Sequence, residues 1–152
     1  MGILTDIHHK LLKGVSRLIY SEYKSLSNTL DANELENYFR EFLIDYAEKP
    51  KNLEALKGLY ELAYRQWDTY EVLEEALAEK IADYIISAIN FDSYEKMDII
   101  LSIVENLSLK TVFDYIMSQY NYVKSQSVKN LIDEAYDEYS DKISDPFGVD
   151  DF

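Results

Sequence analysis

Residues 31–50 read DANELENYFREFLIDYAEKP, and the spacing within them decides the fold class. Leu35, Tyr38, Phe39, Phe42, Leu43 and Tyr46 recur at steps of three and four. That period puts them on one face of an α-helix. Glu34, Glu36, Arg40, Glu41 and Glu48 fall largely off that face. Asp31 can accept from the first-turn amides, and Glu34 three residues later completes a capping-box start. Pro50 ends the helix, because its ring and missing N–H cannot continue the ladder.

The same period extends in both directions. Upstream, Leu4, Ile7, Leu11, Val15, Leu18 and Ile19 form a stripe over 4–24 until Glu22 takes the next position. Gly14 favours a bend there, since glycine costs roughly 1 kcal/mol in a helix interior. Residues 25–28 read as a turn. Downstream, helices are predicted over 53–67, 69–89, 93–106, 109–120 and 127–139, each with an apolar stripe. The stripe of the 69–89 helix begins at Val72 and Leu73, and that of the last helix includes Tyr136. Trp67 closes the 53–67 helix and reads as a core or corner aromatic. The connections are short, so neighbouring helices should form antiparallel or sharply angled hairpins. The expectation is an all-α chain: one compact domain over 1–139, of about six or seven helices. Its hairpins could form a bundle or a solenoid-like stack. Residues 140–152 contain Pro146, Gly148 and several acids and read as an acidic tail. The starts Asp68-Thr69-Tyr70-Glu71 and Asp92-Ser93-Tyr94-Glu95 look alike. Two helices with similar caps explain them more simply than a structural repeat.

Composition excludes several classes. Four Gly and two Pro are too few for a turn-rich β sandwich. With no Cys, the chain has no disulfide, thiolate metal site or cysteine nucleophile. A net charge of −14 argues against binding nucleic acid by neutralising phosphates. The N-terminal residues lack the apolar core and cleavage site of a signal peptide. The longest nearly apolar run, 84–91, is interrupted by Ser87 and Asn90 and is too short to span a bilayer. A cytoplasmic protein with no membrane association is the expectation.

No motif names a chemistry. His8 and His9 are the only imidazoles. As neighbours on a helix they point about 100° apart and make no facing ligand pair. There is no phosphate-cradling glycine loop and no nucleophile elbow. Glu71, Glu74, Glu75 and Glu79 sit at helical spacing, which reads as a solvated helix face sooner than a cation site. A non-enzymatic protein with no metal and no cofactor is expected.

The charge is unevenly spread. Residues 1–30 carry Lys10, Lys13, Arg17 and Lys24 against Asp6 and Glu22, a net +2. The remaining 122 residues therefore carry −16. Acids gather over 68–83 and over 129–152. Tyrosine is the second anomaly, with 14 against six Phe and one Trp. Tyrosine beside a carboxylate suits a partner rich in Arg and Lys. Tyr120, Tyr122 and Tyr139 are the better surface candidates, while Tyr38, Tyr46, Tyr84 and Tyr136 lie on core stripes.

A small, cysteine-free, helical chain rich in Tyr, Asp and Glu resembles bacterial immunity proteins, the partners of contact-dependent inhibition toxins and nuclease bacteriocins. The resemblance implies a protein that binds a basic toxin nuclease and occludes its active site or substrate groove. Charge is compatible with what the resemblance implies, because a nuclease is cationic where it holds its substrate. The expected docking residues are Asp133, Glu134, Asp137, Glu138, Tyr139 and Asp141. Glu71, Glu74, Glu75 and Glu79 form a second candidate face. The alternatives are a helical scaffold or adaptor holding a peptide or helix in an apolar groove, or a phage-type nucleic-acid mimic.

Overall fold

The computed structural model describes residues 18–143. Among the described residues there are seven α-helices and no strand. They are α1 (Tyr20–Lys24), α2 (Ala32–Tyr46), α3 (Leu53–Trp67), α4 (Glu75–Ala88), α5 (Tyr94–Leu107), α6 (Lys110–Gln119) and α7 (Gln126–Tyr139). A short 3-10 turn, Tyr120–Tyr122, follows α6. The expectations for residues 1–17, including Gly14 and the apolar stripe from Leu4 to Val15, lie outside the described residues, as do those for 144–152.

The helix starts are built by local side chains. Asp31 accepts from Glu34 N–H at 2.8 Å, and the Glu34 carboxylate accepts from Asp31 N–H at 3.2 Å. This reciprocal pair satisfies two amides that the helix leaves unbonded. Asn52, Ser93 and Ser125 cap α3, α5 and α7 in the same way, each accepting from the amide three residues on. The helix ends agree with the expected ones to within a residue or two in α2, α3, α5, α6 and α7.

α4 departs from expectation at its start. Its stripe suggested a helix from residue 69, but the helix begins at Glu75. Asp68 ends α3 instead of opening α4. Thr69 Oγ1 donates to Gln66 O at 2.7 Å, and Tyr70 turns the chain with φ of 59°. The first helical cap is Glu74, whose carboxylate accepts from Ala76 and Leu77 N–H, each at 3.0 Å. Asp68 and Asp92 thus play different roles, since Ser93 caps α5, and their similarity is not a structural repeat.

Helices pack on alternate neighbours as well as on chain neighbours, since α2 also lies against α3 and α5 against α6. α3 lies against α1 and α5, and α5 lies against α7. α2 packs on α4, and α4 on α6. The odd-numbered helices therefore form one row and the even-numbered ones a second, a short two-layer stack of helical hairpins. α3 and α5 share the largest interface. Their buried faces, Leu56, Leu59, Leu62 and Ala63 on one and Met97, Ile100, Ile103 and Val104 on the other, form the centre of the core.

Two features lock α1 to α3. Tyr23, 1% exposed, lies over Gly58, and its ring meets Phe42 edge-on at 6.0 Å. Arg65, 2% exposed, is the largest fully buried side chain among the described residues. Its guanidinium donates to the carbonyls of Lys24 (3.2 Å), Leu26 (2.8 Å) and Ser27 (3.1 Å). It also donates to the Glu61 carboxylate at 3.1 Å. Those three carbonyls lie at and beyond the C-terminus of α1, where a cation is favoured.

Candidate functional site

α5 and α7 run side by side and form a groove between their outward edges. Leu101, Leu131, Ala135 and Tyr139 line its floor. Asp98 and Glu105 rise from α5, and Glu134 and Glu138 from α7. The groove continues into a cavity of about 230 Å3 that Trp67, Glu105, Glu138 and Lys142 help to line. Four carboxylates thus face one another over an apolar floor. Lys142 is the one cation among the described residues that line the two hollows.

The local sequence explains the arrangement. α7 buries Val128, Ile132, Ala135 and Tyr139, spaced at four, three and four. Glu134 and Glu138 flank that stripe on the side of α5 and line the groove. Asp98, Ser102 and Glu105 follow at four and three on α5, beside its buried face.

The electrostatics are unfavourable inside the chain itself. The Glu105 carboxyl is held above its ordinary value by partial desolvation and by the charge of Glu138, with Lys142 opposing. Like charges so close destabilise the fold that holds them. An incoming cation removes that repulsion.

The expected docking residues separate in space. Glu134 and Glu138 enter the groove. Asp133 instead lies beside the Tyr120 hydroxyl and raises the phenol's proton affinity, with desolvation adding to it. Lys129 Nζ lies 5.3 Å above the ring of Tyr120. Asp137 and Asp141 are exposed outside the groove. Tyr139, expected at the surface, is 5% exposed and donates to Leu101 O at 3.0 Å. Tyr136, expected in the core, is 51% exposed. The reason is one of phase: the buried stripe runs through 132, 135 and 139, and Tyr136 falls off its edge. Tyr122 is exposed, as expected.

The second acidic set does not share one helix face. Glu71 lies in the turn before α4, and Glu74 is the cap. Only Glu75 and Glu79 belong to the helix. The Glu74 carboxyl is held below its ordinary value by the amides of Ala76 and Leu77, and Arg40 stands 3.7 Å away.

Asp98 and Glu105 were not singled out from sequence, and Trp67 was read there only as a core or corner aromatic. The polar spacing of 98, 102 and 105 beside an apolar stripe was a usable signal. For Trp67 the sequence carried no sign of the hollow it lines with Glu105 and Glu138, which lie far along the chain.

Among the described residues, no group of three or more acidic or histidine side chains is placed to hold a metal ion. None of their helices is long and apolar enough to cross a membrane. No family model matches this chain, and no curated protein or solved structure matches it either.

Proposed function

We propose that this chain is a non-enzymatic inhibitor of the immunity type, acting in the cytoplasm by docking a basic protein through the groove between α5 and α7. A toxin nuclease domain is the partner class that fits best. The single observation behind this reading is the facing of Asp98 and Glu105 against Glu134 and Glu138 across an apolar floor. Arg and Lys side chains from a nuclease's substrate groove would pair with the carboxylates, while their alkyl stems cover Leu101, Leu131 and Ala135. The opposite charges also speed encounter, an effect that weakens with salt.

The test is binding to the basic nuclease domain encoded nearest this gene, measured at low and high salt together with nuclease activity. The expected result is tight binding, loss of nuclease activity and a steep fall in association rate with salt. Glu134→Gln with Glu138→Gln should slow association and weaken affinity. Affinity indifferent to salt and to both substitutions would favour an adaptor with an apolar interface and sink this reading.

A further inference from the structure

The even-numbered row of helices ends at α2. On one flank α2 meets α4, where Leu43 and Ala47 share a hollow with Lys80, Asp83 and Tyr84. A second hollow, of about 430 Å3, is lined by Glu34, Asn37, Tyr38, Arg40, Glu41 and Ile44. These residues all belong to α2, so no other described helix supplies a wall. The surface there is partly apolar, since Tyr38 packs on the core and Ile44 is 73% exposed. Glu34 and Glu41 stand beside them, while Arg40 is engaged by Glu36 and Glu74.

Three further observations bear on what covers this flank. The Tyr46 hydroxyl donates to the Leu18 carbonyl, which sets residue 18 beside the last residue of α2. Ile19 is extended, with ψ of 169°, so the chain before it does not continue the path of α1. Successive helices alternate between the two rows, and α1 belongs to the odd one. The segment before α1 therefore falls to the even row, next to α2. In that segment Leu4, Ile7, Leu11 and Val15 recur at steps of three and four. Lys10, Lys13 and Arg17 recur in the same way, against Asp6 alone.

We propose that residues 1–17 of this chain dock as an amphipathic helix on the free flank of α2 and complete the even row. Entry beside Tyr46 makes the segment run parallel to α2, as the alternation of hairpins requires. The lengths agree: 17 helical residues span about 25 Å, and the 15 of α2 about 22 Å. The apolar stripe covers Tyr38 and reaches the rim at Ile44. The long basic side chains beside it bring net positive charge to Glu34 and Glu41, where the rest of the chain is acidic. Docking here commits the basic segment to the fold and leaves it unavailable to an anionic surface. The flank is separate from the groove between α5 and α7, and the proposal stands independently of the function assigned there.

The chain has no cysteine, so a nitroxide label can be placed at one chosen site of the full-length protein. Ile44→Cys puts it at the rim of the flank, and Tyr122→Cys, 77% exposed in the wild type, puts it in the turn after α6. The expected result is selective broadening of the backbone amide NMR signals of residues 4–15 by the label at 44, and none by the label at 122. Leu11→Glu, which keeps helix propensity but interrupts the apolar stripe, should abolish the broadening. Lys10→Glu with Lys13→Glu should reduce it, because like charges then meet at Glu34 and Glu41. The proposal is overturned if label 44 leaves residues 4–15 unbroadened or if label 122 broadens them equally. It is also overturned if either variant leaves the pattern unchanged. Broadening carried only between molecules, seen when spin-labelled chains are mixed with isotope-enriched unlabelled ones, would assign the flank to a second copy and overturn it too.

Discussion

The Arg65 guanidinium donates a 2.8 Å hydrogen bond to the Leu26 carbonyl, joining residues 39 positions apart in a site from which water is excluded. The same group holds Lys24 O and Ser27 O. Arg65→Met should destabilise the fold by about 3–5 kcal/mol, because it strands the Glu61 carboxylate and three carbonyls. Arg65→Lys should recover little of this, since an ammonium cannot reach acceptors spread around a plane. Urea unfolding checks both; a midpoint unchanged from wild type would show that the clamp adds nothing.

Gly58→Ala is expected to destabilise despite alanine's better helix propensity. An added Cβ would stand 2.9 Å from Tyr23 Cδ2. The Tyr23 ring is itself held against Phe42, so it cannot retreat freely. Overpacking of this kind costs about 1–3 kcal/mol, against roughly 1 kcal/mol gained from propensity. A rise in melting temperature would contradict it.

Tyr139→Phe should lose about 1 kcal/mol through the missing bond to Leu101 O. Tyr136→Phe, at an exposed position, should stay within about 0.5 kcal/mol of wild type. Equal effects from the two would mean that the phase of α7 is misassigned.

Alkaline pH should unfold the protein sharply. Burial, with Tyr46 nearby, pushes the Tyr84 phenol up to about 12 from its ordinary 10.0. Burial also raises Tyr23, with the charges of Tyr46, Asp45, Glu41 and Glu22 adding, and raises Tyr139, with Glu105 and Glu138 adding. These groups hold their protons in the folded state beyond the pH at which they lose them unfolded. Their share of stability is therefore intact below about pH 10 and lost as pH climbs above it. Tyrosinate absorbance should rise in a late step that coincides with loss of helical signal. An early, gradual rise with the helices intact would refute it.

Glu105 works in the opposite sense to an ordinary paired carboxylate. Its folded value lies above its unfolded one, so the folded protein takes up a proton first as pH falls. Wild type should gain stability over Glu105→Gln as pH drops from neutral through that range, and lose the advantage on return. At neutral pH Glu105→Gln should be the more stable of the two. Parallel stability curves for the two proteins would remove the case for repulsion in the groove.

Local periodicity made much of this protein legible in its sequence. The stripe from Leu35 to Tyr46, the cap at Asp31, the end of the helix ahead of Pro50 and the acidic bias after residue 30 all depend on neighbours within a turn or two, so spacing reveals them. α4 was misread at its start because Val72 fits the helical period. Tyr70 reverses the chain there and Glu74 supplies the cap, and nothing in the period signals either.

The tertiary structure decided what spacing cannot encode. It turned Tyr139 inward and Tyr136 outward, because the helix that covers α7 selects the buried stripe. It set Asp98 and Glu105 against Glu134 and Glu138, 36 and 33 residues further along the chain. It also enclosed Arg65 among carbonyls at the end of α1 and in the turn after it. Sequence determined which residues form helices and what charge they carry. Contacts between helices far apart in the chain decided which of those charges face one another.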